Sequence, residues 1–157
     1  MAINPALFSS DSQEWATPPQ AFAFACKGYP LPVLDVCATP ANSTCGSRYY
    51  DKETNALIRD WSWARVCWMN PPYGRKIGDW IAKANYEAGK GATVICLLPA
   101  RTDTKWWHDY VEPIRQGEIP GEVRFIRGRV KFVGAPASAP FPSVVVIFRS
   151  RLPELQG

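Results

Sequence analysis

The chain has 157 residues, 46% of them hydrophobic, and a formal net charge of +4. That length and apolar content fit one globular domain over 1–157 and exclude a disordered chain; no signal-peptide pattern or apolar run of about 20 residues is present, so a cytoplasmic location is expected. Five cysteines without a CxxC pair and a single histidine leave no zinc-ligand spacing, so no metal is expected and the thiols read as reduced, mostly core residues.

Residues 1–13 are polar and mixed and read as a loose arm. Trp15-Ala16-Thr17-Pro18-Pro19 leads into a helix over Gln20–Cys26, with proline in the first turn and Thr17 as N-cap. Pro32–Ala38 reads as a short buried strand carrying Asp35, followed by the turn-rich loop 39–46. A second short strand is expected at Arg48–Asp51, and Asn55–Trp61 is ambiguous. Arg65–Met69 is a third apolar strand that runs directly into Asn70-Pro71-Pro72-Tyr73-Gly74.

Over 76–89 the residues Ile77, Trp80, Ile81, Ala84 and Ala88 recur at helical spacing, and Gly89-Lys90-Gly91 stops the helix. Ala92–Leu98 is an unbroken apolar strand, as in a sheet covered on both faces. A helix is expected from Thr102 to Glu112, stopping at Pro113. Glu122–Ile126 and Arg129–Val133 alternate like strands, Ser143–Phe148 is a last apolar strand, and 150–157 reads as a loose tail. This alternation argues for an α/β sheet, whose ligands bind beyond the carboxyl ends of the strands. Asp35, Asp51 and Asn70 all follow apolar segments and are therefore expected on one rim.

Asn70-Pro71-Pro72-Tyr73 is the informative element. Two prolines directly after a strand end the pairing and stiffen the backbone, and the residue before them is pushed toward extended geometry. The Asn70 side-chain oxygen and the Pro71 carbonyl then face one point, which suits an NH2 group with its two donors, and Tyr73 adds a ring face. Accepting both hydrogens of an aromatic amine draws its nitrogen toward tetrahedral geometry and frees the lone pair for attack on a sulfonium methyl group. Positioning and electrostatics carry such a reaction. The competing reading of Asn70 is a turn residue, and of Tyr73 a packing residue.

The tetrapeptide resembles the catalytic motif of amino-methyltransferases. Together with EWATPP at 14–19, LDVCAT at 34–39, RDW at 59–61, LLPARTDTKWWHD at 97–109, RGRVKF at 127–132 and APFPSVVVIF at 139–148, the chain resembles the phage-type (Dam-like) DNA N6-adenine methyltransferases over roughly 14–149. The resemblance implies a class I Rossmann-like fold: a mostly parallel central sheet, helices on both faces and an antiparallel C-terminal strand. It implies S-adenosylmethionine as cofactor and DNA as partner, with Asn70, Pro71, Pro72 and Tyr73 as catalytic residues. Asp35 then lies where the cofactor's methionine portion binds, although Val36-Cys37-Ala38-Thr39 stands in place of a glycine-rich turn. Asp60 resembles the acid that reads the cofactor's adenine, and Trp15, Thr17 and Pro18 resemble an N-terminal cofactor-binding segment. Asp51 lies 16 positions after Asp35, near the separation of a ribose-binding acid. Each of these acids also reads as an ordinary loop or turn acid, and Trp15 as core.

Residues 81–157 hold eleven Lys/Arg against seven Asp/Glu, whereas 1–80 balance at seven each, so the whole basic excess is C-terminal. Arg101, Lys105, Arg127 and Arg129 are the candidates for DNA phosphates, with a plain surface role as the competing reading. Phe141, between Pro140 and Pro142, is the candidate contact for an extruded base, and Phe132 is its competitor. His108 reads as a packed or surface residue. Only 39–64 and 99–142 are long enough to read DNA, so a short recognition sequence is expected. The rival functions are an RNA or protein-glutamine methyltransferase and a nucleic-acid-binding module without catalysis.

Overall fold

The computed structural model describes residues 16–153. The expected arm at 1–13 and Trp15 lie outside the described residues. The elements are α1 (Pro19–Cys26), β1 (Leu34–Asp35), β2 (Val66–Met69), α2 (Ile77–Gly89), β3 (Thr93–Pro99), α3 (Glu112–Arg115), β4 (Gly121–Phe125) and β5 (Ser143–Phe148), with a π-helical turn at Trp107–Val111 before α3.

The sheet has five strands in the order β1-β2-β3-β5-β4. β1, β2 and β3 pair in parallel, and β5 enters antiparallel between β3 and β4. The sheet is therefore mixed rather than mostly parallel, because β5 pairs antiparallel with both β3 and β4, which makes two of its four pairings antiparallel. Helices cover both faces. Trp68 meets Phe22 of α1 edge-on at 4.9 Å. Its neighbour Cys67 points the other way, donating to the Trp61 carbonyl at 3.5 Å, and Trp61 stacks on Trp80 of α2. The middle strands are buried over nearly their whole length, which explains their unbroken apolar runs.

Several expected elements are corrected. The first strand shrinks to Leu34–Asp35, and Arg48–Asp51 contributes only an isolated parallel bridge from Tyr49 to Asp35, since loop turns on either side take over the backbone bonds. Arg129–Val133 is not a strand; Val133 alone bridges Ala16. Thr17 does not cap α1: Pro18 holds the cap position, and Pro18 and Pro19 have no N–H that would need a capping acceptor. Pro113 does not end the third helix. The chain widens into a π turn just before it, which makes room for a ring that clashes with the carbonyl four residues back in a regular helix, and α3 continues through it. The tail is not loose at its start. Arg151 donates its backbone NH to the Ala88 carbonyl at 2.9 Å and its guanidinium to Asn85, which ties residues 150–152 to the end of α2.

Gly121 shows how tightly β4 and β5 approach. A methyl group there would lie 2.1 Å from the Ile147 carbonyl oxygen and 3.1 Å from Ile114 of α3. All five cysteines are free, with Cys26, Cys67 and Cys96 buried. Among the described residues no helix is long and apolar enough to cross a membrane, and no group of three or more His, Cys, Asp or Glu side chains is placed to hold a metal ion.

Candidate active site

β2 ends at Met69, and the two prolines that follow carry the chain off the sheet at its carboxyl rim. Pro71 is buried, and no hydrogen bond among the described residues falls on its carbonyl. Asn70 is partly buried. Its Nδ2 donates to Thr17 Oγ1 at 3.3 Å, and its Oδ1 accepts from the Tyr73 hydroxyl at 2.7 Å. That hydroxyl also lies 3.1 Å from the Leu97 carbonyl of β3. Tyr73 is only 8% exposed, and burial pushes its phenol well above the usual range, so it stays protonated and acts as a donor.

The ring offered by the sequence as a stacking face is thus largely covered. Phe141 and Phe132 meet it edge-on, at centroid separations of 5.6 and 6.3 Å. Arg101 donates to the Tyr73 carbonyl at 3.3 Å and sets its guanidinium 5.9 Å from the Phe141 ring centre. Residues separated widely in sequence (Thr17, Asn70, Tyr73, Arg101, Phe132 and Phe141) therefore meet at one place. Pro18 enters the same region as the first residue before α1, its carbonyl accepting from Phe22.

Asp35 ends β1 beside this rim and is 2% exposed. Its Oδ1 accepts from the Cys37 NH at 3.2 Å, and its Oδ2 from the Thr44 NH at 2.9 Å and hydroxyl at 3.0 Å. Burial pushes its carboxyl up to about 6 against the opposing pull of these three donors. Asp35 thus folds the loop 36–45 over itself. Thr44, its main partner, went unremarked in the sequence; the signal was a run of Ser and Thr in a turn-rich loop after a buried acid.

Asp51 follows the Tyr49 bridge. Its Oδ1 accepts from the Thr54 hydroxyl at 2.7 Å and NH at 2.9 Å, which hold its carboxyl below the usual range. Asp60 accepts from the Ser62 hydroxyl and NH and pairs with Lys90 at 2.9 Å, contacts that hold it well below the usual range, and its backbone carbonyl accepts from the Tyr50 hydroxyl at 3.0 Å. His108 is exposed, and Lys105 is paired with Asp109 on the exposed side of its helix. Arg127, Arg129 and Lys131 are exposed and form no ion pair among the described residues.

Fold and site together define an α/β protein in which an Asn-Pro-Pro-Tyr segment, packed by aromatic side chains, leaves the carboxyl edge of a mixed sheet. A family model described as DNA N-6-adenine-methyltransferase (Dam) matches residues 6–153, and the chain belongs to that family. It is similar to the DNA N-6-adenine-methyltransferase of Escherichia phage T1, with 29% identity over 128 residues covering 76% of this chain and 53% of the relative. It is also similar to the protein of the same name from Haemophilus phage HP1 (strain HP1c1), with 33% identity over 99 residues covering 62% of this chain and 56% of the relative. The aligned stretches span about half the length of these curated relatives.

Proposed function

We propose that this chain transfers a methyl group from S-adenosylmethionine to the N6 amine of adenine in DNA, on a Rossmann-like methyltransferase fold. The observation that carries the reading is the acceptor pair after β2: Asn70 Oδ1, held by the Tyr73 hydroxyl, and the Pro71 carbonyl, whose bonding capacity the described residues leave unused. Family membership and the phage relatives support it. They also support a phage or prophage source and work in the host cytoplasm.

The cofactor belongs at the topological switch point between β1 and β2. The chain leaves β1 toward the Tyr49 edge and comes back on the other side as β2, so the crevice at their carboxyl ends is where open α/β sheets take ligands. The donor set fits a nucleoside there. Asp51 offers its carboxylate to ribose hydroxyls, and Asp35 shapes the floor through loop 36–45 and keeps an acceptor site on Oδ1, which takes one donor, for the cofactor's methionine portion. Thr17 and Pro18 close the side next to Asn70; Trp15, the third residue of that segment by resemblance, lies outside the described residues. Asp60, bound to Lys90, is left with a structural part. When bound, S-adenosylmethionine supplies a methyl group on a positively charged sulfur.

The residues of the rim do the rest. Asn70 Oδ1 and the Pro71 carbonyl accept the two amine hydrogens and so free the nitrogen lone pair, while Pro71 and Pro72 keep the acceptors from relaxing away. The adenine is flipped out of the stack, at a cost of a few kcal/mol. Phe141, half-buried beside Arg101, is the ring it meets first, with Tyr73 and Phe132 packed behind. Arg101, Lys105, Arg127 and Arg129 hold phosphates. Segments 39–64 and 99–142 of this chain are long enough to read bases, and a short target sequence is the expectation. The test is incubation with labelled S-adenosylmethionine and unmethylated DNA, followed by nucleoside analysis. The expected product is N6-methyladenine, and Asn70→Ala should abolish it while cofactor binding persists. Label in RNA or protein instead of DNA, or equal turnover by Asn70→Ala, would overturn the reading.

A further inference from the structure

We infer that Arg101 is a positioning residue that orders the Phe141 ring against the turn carrying Asn70 before a base arrives; the inference rests on the functional reading above. A phosphate asks only for positive charge, which an exposed lysine or arginine supplies. Lys105, Arg127 and Arg129 are exposed in that way, whereas Arg101 is half-buried and engaged with the site. Its Nη1 donates to the Tyr73 carbonyl at 3.3 Å, and its guanidinium carbon lies over the Phe141 ring, 5.9 Å from the centre. One planar cation therefore reaches both the last residue of the Asn-Pro-Pro-Tyr segment and the ring that the adenine meets first.

The backbone explains why a side chain is needed for this. Arg101 is pinned just past β3: its NH donates to the Pro99 carbonyl at 2.9 Å, and its own carbonyl accepts from the Thr104 hydroxyl at 2.7 Å. The segment carrying Phe141 is tied to the same place, since the Pro142 carbonyl accepts from the Ala100 NH at 2.9 Å before β5 begins at Ser143. Pro140 and Pro142 restrict the main chain there, but they do not fix the χ angles of the half-buried ring between them. Tyr73 meets that ring edge-on at 5.6 Å, and Arg101 lies over its face. A ring fixed in this way gives up its rotamer freedom on folding rather than when the base stacks. Lysine supplies the same charge without the same geometry. Its ammonium is a hydrated point, whereas the guanidinium is a plane that stacks and hydrogen-bonds at once.

Arg101→Lys and Phe141→Leu separate this role from phosphate binding. At saturating DNA and S-adenosylmethionine, Arg101→Lys should lower the single-turnover methylation rate about three- to tenfold, the range of one lost cation–π contact. In a Phe141→Leu background the same change should cost less than about twofold, because the ring it acts through is gone. An undiminished rate in Arg101→Lys means that charge alone is required, and an equal loss with and without the ring means a general weakening of the fold; either result overturns the inference. NMR of the free protein gives an answer independent of turnover, and it decides if Phe141→Leu is too slow to follow. The Arg101 side-chain N–H resonances should stand upfield in wild type, under the ring current of Phe141, and move back in Phe141→Leu; resonances that do not move overturn the inference. A wild-type chain that does not methylate DNA overturns the functional reading instead, and these resonances then still decide whether Arg101 holds the ring.

Discussion

Asp35 offers a direct test of how burial and hydrogen bonding compete in this fold. Its carboxyl is 2% exposed, which raises its pKa, while the Thr44 NH and hydroxyl and the Cys37 NH favour the charged form. Burial wins, and the value stands at about 6 against an ordinary 3.8. The folded chain then binds this proton more tightly than the unfolded chain. The contribution to stability is fully present below about pH 4 and is lost as pH rises through about 6. A gap of about two pKa units corresponds to roughly 3 kcal/mol. Asp35→Asn removes the titration. Urea unfolding of both proteins, followed by tryptophan fluorescence at intervals from pH 4 to 7, should show wild type losing roughly 3 kcal/mol relative to Asp35→Asn across that range. A constant difference would refute the reasoning. A wild type that gains on the variant as pH rises would mean that the three donors outweigh burial.

Gly121→Ala should destabilise the fold by more than about 2 kcal/mol, since the new methyl group meets the Ile147 backbone oxygen at 2.1 Å and neither strand can retreat without breaking β4–β5 pairing; calorimetric melting checks it. Arg127→Ala with Arg129→Ala should weaken DNA binding about equally for all sequences and flatten the slope of log K against log salt by roughly 2, measured by fluorescence anisotropy. An unchanged slope would return both arginines to the plain surface.

Much of the architecture was readable because apolar periodicity reports burial directly. β5 falls at the residues expected of it, Ser143–Phe148, and α2 and β3 fall within a residue or so of their expected ends. The prolines after β2 likewise announce their own geometry, so the rim position of Asn70 follows from local chemistry. Where an element owes its conformation to a distant partner, local pattern misled. Arg129–Val133 alternates like a strand, yet among the described residues its one ladder contact is the bridge from Val133 to Ala16, and the π turn at Trp107–Val111 lets α3 run through Pro113.

The site divides in the same way. The residue types needed to hold an aromatic amine, and the stiffness of the chain that carries them, are properties of four consecutive residues. Tertiary structure alone decided that Thr17, 53 positions away, grips the far end of the Asn70 amide. It also decided that the Tyr73 ring is packed between Phe132 and Phe141 rather than open, and that Asp35 turns its charge inward to its own loop while the Asp60 carboxylate pairs with Lys90. Backbone stiffness is local and can be read in order along the chain. Which acceptor a side chain finds depends on what the folded sheet carries to within about 3 Å of it.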